Sequence, residues 1–365
     1  MALDRRTLLA SFAGCAAALS LPKFVAAAFA AECFAAARKD DRGVFSAALF
    51  NLEGGDLRAV TLPGRGHDIA LRPGGSAWVA FARRPGRFGV AVPIGPGRTV
   101  WFSSKPNRHF FGHGVFSADG MLLYTTENDY ENGQGVIGVR DAENGYRQIG
   151  ELPAYGVGPH DLALLCDGRT MVIANGGIQT HPDRGRDEMN LAEMQPSLVY
   201  VDIETGDLLE AQKLPPSQQQ LSIRHLTVAE RDTVVFGCQY RGPEEDTPPL
   251  LGFHRRGETP VVVPAPVATQ TSMRNYIGSV TADMDGGIVA ASAPKGGLVT
   301  YWDVAARRYL GTCELGDGCG LARTHRSASF LLTSGEGWLA KAQADGTMTR
   351  QTSRYHWDNH AILVR

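Results

Sequence analysis

Histidine recurs in this sequence just before short apolar segments that are each followed by a tight turn and a second apolar segment. The segments that begin at Gly66, Gly112, Pro159 and Arg224 share this pattern, and the closing residues NHAILVR begin in the same way. Imidazole nitrogen is a strong ligand for zinc, copper and iron. Histidines that converge in the folded chain could therefore bind a transition-metal ion.

The return of this pattern every several tens of residues indicates a repeat architecture. After His67 the sequence offers four short apolar segments separated by turns that contain glycine: DIAL, SAWVAFA, RFGVAVPI and RTVWFSS. Four such segments predict an antiparallel meander, which is one blade of a β-propeller. Two further units, IGSVTADMDGGIVAAS and GCGLARTHRSASFLLTS, have the same pattern but place Ser279 and Cys319 where the other units have histidine.

The two ends of the chain supply complementary parts of one more blade. Three apolar segments near the N-terminus (FAAARKD, GVFSAALFNLEG and DLRAVTLP) lack a first strand, whereas His360 to Val364 form a lone first strand. Joining them leaves no open edge, while two β-sandwich domains would leave both fragments incomplete. We therefore predict an all-β fold, a seven-bladed β-propeller of four-stranded antiparallel blades. It spans residues 31–365 as a single domain, and its last blade is closed by the N- and C-terminal strands.

The first strand of each blade lines the central channel of a propeller, so the residues that open these strands should form a ring. The predicted metal ligands are His67, His113, His160, His225, His360 and Cys319. Four of them, His67, His113, His160 and His360, lie in neighbouring blades around the closure and are the first candidates, with His225 next. Residues predicted to support this site from the loops on the same face are His109, Glu127, Asp129, His181 and Arg224. Asp68 and Asp161 directly follow two of the histidines, and strand alternation predicts that they point to the opposite side.

A structural interpretation of the repeated histidine is the main alternative to the metal hypothesis. A histidine in register can tie each blade to its neighbour by hydrogen bonds, as the Gly-His signature of other propellers does. A tying residue should be present in every blade, however, and two blades have Ser279 and Cys319 instead. For Cys319, a disulfide with Cys313 is an equal alternative to metal ligation.

The N-terminus and the overall charge bear on location and partners. Residues 1–30 contain Arg5 and Arg6, a small-residue apolar stretch and an Ala-Phe-Ala run ending at Ala30, which together predict an export signal cleaved near Ala30 and a periplasmic protein. The arginine pair favours the twin-arginine type, with an ordinary secretory signal as the alternative.

The chain has 36 Lys+Arg and 38 Asp+Glu residues, so it lacks the basic excess that is typical of nucleic-acid binders. No stretch after residue 30 is apolar enough to span a bilayer, and we expect a monomer.

The segments HGVFSADGMLLYTTEND, PHDLALLCDGRTMVIANGG, SIRHLTV and WDNHAILVR resemble a bacterial family of exported propellers, domain of unknown function 1513, of the YVTN/WD-like seven-bladed type. The resemblance implies imelysin-type periplasmic proteins of metal uptake as partners, and it implies no reaction. We expect a periplasmic propeller that binds iron or copper, with zinc as the next choice, through the histidine ring. The alternatives are a metal-dependent oxidoreductase that uses the same site and a protein-interaction scaffold without metal.

Overall fold

The strands of the protein are short and lie close together in the chain, as expected for consecutive hairpins. The computed structural model describes residues 32–53, 55–185 and 187–365, so the predicted export signal lies outside the described residues. Among them, 28 strands form seven four-stranded antiparallel sheets. The predicted seven-bladed β-propeller is therefore confirmed.

The sheet that joins the chain ends contains β1 (Cys33–Asp40), β2 (Phe45–Asn51), β3 (Asp56–Thr61) and, next to β1, the last strand β28 (Tyr355–Leu363). Blade 1 is formed by β4 (Gly66–Leu71), β5 (Ala77–Ala82), β6 (Phe88–Pro93) and β7 (Val100–Ser103). Blade 2 is formed by β8 (Arg108–Phe116), β9 (Leu122–Asp129), β10 (Gln134–Asp141) and β11 (Arg147–Pro153). Blade 3 is formed by β12 (Pro159–Leu164), β13 (Thr170–Asn175), β14 (Ser197–Asp202) and β15 (Leu208–Lys213).

Blade 4 is formed by β16 (Leu221–Ala229), β17 (Thr233–Tyr240), β18 (Leu251–His254) and β19 (Val261–Val263). Blade 5 is formed by β20 (Ser279–Ala282), β21 (Ile288–Ala293), β22 (Leu298–Asp303) and β23 (Arg308–Glu314). Blade 6 is formed by β24 (Gly318–Arg323), β25 (Ser329–Ser334), β26 (Trp338–Gln343) and β27 (Met348–Thr352). The sheet with β28 is blade 7. Short helical segments in the loops span Pro182–Arg184, Leu191–Glu193, Pro216–Gln218, Glu230–Asp232, Val267–Ser272 and Pro294–Gly296.

Burial falls from the middle of each blade to its outer edge. The second and third strands of blade 3, β13 and β14, are buried at every residue, whereas the fourth strand β15 is mostly exposed. A strand covered on both faces reads as a continuous apolar run, which is why TMVIAN and SLVYVD show little alternation. The core therefore lies between neighbouring blades and leaves the first strands to line the axis.

Blade 7 is closed by antiparallel pairing of β1 with β28. The Trp357 ring of β28 packs on Phe50 of β2 with ring centroids 4.4 Å apart. Arg38 of β1 places its guanidinium 5.3 Å from the Trp357 ring and forms two 2.6 Å hydrogen bonds to Asp56 of β3. Both chain ends are thus joined by packing and charge as well as by backbone pairing.

Among the described residues no helix is both long enough and apolar enough to cross a bilayer.

We predict that Trp357→Ala destabilises the fold by about 3–5 kcal/mol, because a fully packed aromatic ring is lost at the closure of the propeller. Trp357 is 3% exposed, whereas Trp101 on β7 is 46% exposed. Trp101→Ala is therefore the matched control and should change the free energy of unfolding by no more than about 0.5 kcal/mol. Guanidinium unfolding of both variants measures the difference. Equal losses would contradict the closing role of β28.

Candidate metal centre

Five histidines meet at the axis of the propeller. They are His67 on β4, His113 on β8, His160 on β12, His225 on β16 and His360 on β28, and each is between 2% and 7% exposed. Ring centroids of contacting pairs lie 4.8–5.9 Å apart. The five predicted ligands therefore lie close together, although they are up to 293 positions apart in the chain. We call these five residues the histidine cluster.

Irregular pairing places these side chains in the channel. In six of the seven first strands the register with the neighbouring strand shifts at the position that opens the blade, and only β20 is regular among the described strands. A β-bulge leaves residues unpaired and turns their side chains away from strict alternation. In β4 the unpaired residues include His67 and Asp68, and in β12 they include His160.

The bulges overturn the alternation predicted for Asp68 and Asp161. Nδ1 of His113 lies 3.3 Å from Oδ2 of Asp68 and 3.3 Å from Oδ1 of Asp161. Oδ2 of Asp161 also accepts a hydrogen bond from the backbone N–H of Leu226 at 3.0 Å. Both carboxylates therefore face the histidine cluster, because the strands that carry them are not regular at these residues.

One glycine permits this close packing. Gly112 on β8 has φ +110°, and a Cβ at this position would lie 2.4 Å from Cδ2 of His67. A backbone conformation of this kind is readily adopted only by glycine. Gly112 therefore allows the backbone of β8 to approach the His67 ring to within van der Waals contact.

The charge of the cluster is uneven. Burial acts to lower the pKa of His113, but the carboxylates of Asp161 and Asp68 outweigh it and raise that pKa to about 10. Burial, followed by repulsion from neighbouring histidines, holds the pKa of His67, His160 and His225 well below the ordinary value. Burial and the charge on His113 likewise lower the pKa of His360 to about 4. At neutral pH one imidazolium is thus surrounded by four neutral imidazoles.

One nitrogen of each ring in the cluster is buried and has no hydrogen-bond partner among the described residues. These atoms are Nδ1 of His67, Nε2 of His113, Nδ1 of His160, Nδ1 of His225 and Nε2 of His360. Two triads that share His113 each bring one nitrogen per ring within 4.8 Å: His67, His113 and His360, and His113, His160 and His225. Two nitrogens each about 2.1 Å from one ion are at most about 4.2 Å apart. Three nitrogens in tetrahedral geometry lie about 3.4 Å from one another, so a triad needs to contract by at most about 1.4 Å to share an ion.

The blades without histidine contribute differently. Ser279 places its hydroxyl 3.3 Å from Nδ1 of His360 and so joins the ring. The Cys319 thiol donates to the backbone carbonyls of Asp358 and Trp357, at 3.3 and 3.4 Å, and burial raises its pKa. A protonated thiol is not the form that binds metals, and neither triad of ligand atoms among the described residues includes Cys319. Cys313 and Cys319 are both free thiols, so the alternative of a disulfide between them is not present.

The predicted supporting residues divide into two groups. Glu127 is fully buried and receives a 2.7 Å hydrogen bond from Arg140, and Asp129 pairs with Arg108 at 3.0 Å. These two carboxylates are therefore engaged within blade 2, and neither belongs to the triads of ligand atoms found in the described part of the chain.

The other three predicted supporting residues line cavities on the face where the first strands begin. Nε2 of His109 accepts from Asn128 at 3.0 Å and its Nδ1 donates to the carbonyl of Phe110 at 2.9 Å, while burial lowers the pKa of this histidine to about 4. His181 lines the same cavity of about 150 Å³ as His109. Arg224, the unpaired residue of the bulge in β16, lines a second cavity beside the cluster.

We predict that stability of the metal-free protein has a maximum near neutral pH. The raised pKa of His113 means that its stabilising contribution is complete below about pH 6.5 and is lost as the pH rises through about 10. The four lowered pKa values act in the opposite sense, so stability also falls as the pH drops below about 6.5. For His360 that loss continues through about 4.

Urea unfolding at about pH 7 and 9 tests the predicted loss of stability at alkaline pH. One titrating group changes the free energy of unfolding by at most about 1.4 kcal/mol per pH unit. His113→Asn should remove this part of the slope, because the asparagine side chain does not titrate. The same pH dependence in His113→Asn and in the wild type would contradict the assignment of the charge to His113.

Comparison with known proteins places the chain in a family. A family model described as "Protein of unknown function (DUF1513)" matches residues 60–364, and no curated protein sequence matches the chain significantly. Among solved structures, Kuenenia stuttgartiensis hydrazine synthase is similar with a TM-score of 0.60 and 11% identity, over 85% of this chain and 92% of that chain. At this identity the likeness concerns the fold alone. Because the family model covers far more than half of the sequence, the protein belongs to the DUF1513 family of proteins of unknown function.

Proposed function

We propose that the protein is a periplasmic propeller that binds one transition-metal ion, iron or copper first and zinc next, through the histidine cluster and that it serves metal uptake. The observation that carries this proposal is the set of five buried imidazole nitrogens without partners. Burying a polar atom without a partner costs about 1–3 kcal/mol, so a site with five of them gains from a ligand that accepts several lone pairs. A metal ion is such a ligand, and imidazole suits zinc, copper and iron.

The surroundings of His113 fit a metal ligand. Histidines that bind metals usually donate their second ring N–H to a carboxylate, a backbone carbonyl or water, which fixes the tautomer and orients the ring. Nδ1 of His113 faces Asp68 and Asp161 at 3.3 Å each, which leaves Nε2 directed to the other rings. Because a ligating nitrogen must be deprotonated, metal binding would release the proton that His113 holds. For a divalent ion, the negative charges of Asp68 and Asp161 would then balance the charge of the metal.

The structural interpretation of the histidines requires hydrogen bonds between blades. Nδ1 of His67, His160 and His225 is buried without a hydrogen-bond partner among the described residues. Nδ1 of His67 comes no nearer than 4.0 Å to Oδ1 of Asp358. The presence of these histidines at the axis is therefore not explained by a tie from blade to blade. Location in the periplasm is supported by the N-terminal sequence, and a role beside imelysin-type proteins rests on the family resemblance and stays a prediction.

We predict that His113→Ala and His160→Ala abolish or strongly weaken metal binding. Removing a hydrogen-bond partner of a metal ligand lowers metal affinity by about 10–100-fold. Removing a ligand itself should lower the affinity further. Elemental analysis of protein purified from periplasm, followed by equilibrium dialysis against Fe²⁺, Cu²⁺ and Zn²⁺, measures this. His325→Ala is the matched control, because His325 is exposed and outside the cluster. Absence of bound metal in the wild type, with no saturable uptake of any of the three ions, would rule out the proposed function.

The carboxylates that contact His113 should also affect metal affinity. Asp68→Asn keeps the shape of the side chain but removes the charge that orients His113, so metal affinity should fall by about 10-fold or more. The control is Asp207→Asn, at an exposed position on the outer part of blade 3. Equilibrium dialysis with the metal retained by the wild type compares the three proteins. An unchanged affinity in Asp68→Asn would show that Asp68 does not act on the bound ion through His113.

A further inference from the structure

A small cavity adjoins the histidine cluster and is rich in arginine. It has a volume of about 50 Å³, and His67, His160 and His225 line it on one side. Three arginines, Arg83, Arg84 and Arg224, also line it, and no acidic residue is among the described residues that do so. Its other polar lining residues are Gln239, Tyr276 and Asn359. The cavity therefore combines positive charge with neutral imidazoles and direct access to the cluster.

Arg224 is the residue whose surroundings point to a ligand. It is 4% exposed, and its Nε donates to the hydroxyl of Ser222 at 2.8 Å. Nη2 of the same side chain is buried and has no partner among the described residues. A buried charged donor is normally paired, so an unpaired guanidinium nitrogen beside a cavity indicates that the partner comes from outside the chain.

Two acidic side chains, Asp358 and Glu188, are paired with other arginines, while Asp68 and Asp161 contact His113. Asp358 accepts hydrogen bonds from Arg65 at 2.5 and 3.1 Å. Glu188 lies 3.1 Å from Nε of Arg241. Neither carboxylate pairs with Arg224, so the buried Nη2 of this side chain is left for a bound anion.

Size and geometry restrict the class of that anion. A site for one water needs about 10–15 Å³, so a cavity of about 50 Å³ holds the equivalent of three to five waters. That is the size of one oxyanion group. Guanidinium groups bind planar carboxylates and phosphates through two parallel hydrogen bonds.

We propose that this cavity binds a single small oxyanion, a carbonate, a phosphate or the carboxylate of a small acid, between Arg224, Arg84 and the histidine cluster. A metal ion in the cluster would attract such an anion, so each should tighten the binding of the other by the same factor. This coupling rests on the proposed metal function, whereas the anion site itself does not.

Isothermal titration of the metal-free protein with bicarbonate, inorganic phosphate and oxalate tests the anion site alone. We expect saturable binding of at least one of the three, and the one bound most tightly identifies the class of oxyanion. Arg224→Gln should weaken that binding by about 10-fold or more, because an Arg–oxyanion hydrogen bond is charge-assisted. The matched control is Arg147→Gln, at an exposed position on β11, which should bind as the wild type does.

Arg84→Gln provides a second variant at a half-buried position, where substitution does not leave a buried gap, and it should also weaken anion binding. Repeating the titration after loading with the retained metal measures the coupling, which we expect at about 5–150-fold. Anion binding without metal binding would remove the proposed metal function and leave the anion site. No saturable binding of any of the three anions in either form, or wild-type binding in both arginine variants, would overturn the anion site even if metal binds.

Discussion

The structure depends on how much charge can be buried where seven first strands meet. Five imidazoles lie at this point with ring centroids as close as 4.8 Å. Two unit charges at that distance repel each other by about 3.5 kcal/mol at an effective dielectric constant of about 20. This repulsion is larger than the free energy that a second histidine would gain by binding a proton at pH 7. Only one ring therefore carries a proton at both nitrogens. His113 is that ring, because the carboxylates of Asp68 and Asp161 contact it.

The bulges allow this arrangement without weakening the blades. A propeller is stabilised by apolar packing between neighbouring blades, and the inner strands β13, β14 and β25 are buried at every residue. The first strands can therefore give up some backbone pairing at the axis, where the unpaired residues turn toward the channel. In β16 the unpaired residue is Arg224, and in β4 the unpaired residues are His67 and Asp68. The same local irregularity therefore places a candidate metal ligand, a carboxylate that contacts His113 and the arginine of the cavity.

The sequence was sufficient for the fold and for the convergence of the histidines, but not for the directions of the neighbouring side chains. Turn residues such as Asp119 and Gly120 and the spacing of apolar segments determine the hairpins, and the two incomplete ends determine the closure. The alternation argument failed at Asp68 and Asp161 because a bulge depends on pairing with the next strand, which no local pattern reveals. Glu127 shows the same limit: its partner Arg140 lies across a hairpin, and the pairing becomes visible only with the register of β9 and β10.

The two blades without histidine indicate which residues at the axis have structural roles. Ser279 and Cys319 use their polar atoms for contacts within the protein, with His360 and with backbone carbonyls respectively. The five histidines instead each keep one buried nitrogen without a protein partner. Selection for stability alone would favour the first kind of residue, since an unsatisfied buried nitrogen lowers stability. The presence of five such nitrogens beside a buried Arg224 nitrogen without a described partner supports the two proposed ligands, a cation among the imidazoles and an anion beside the guanidinium.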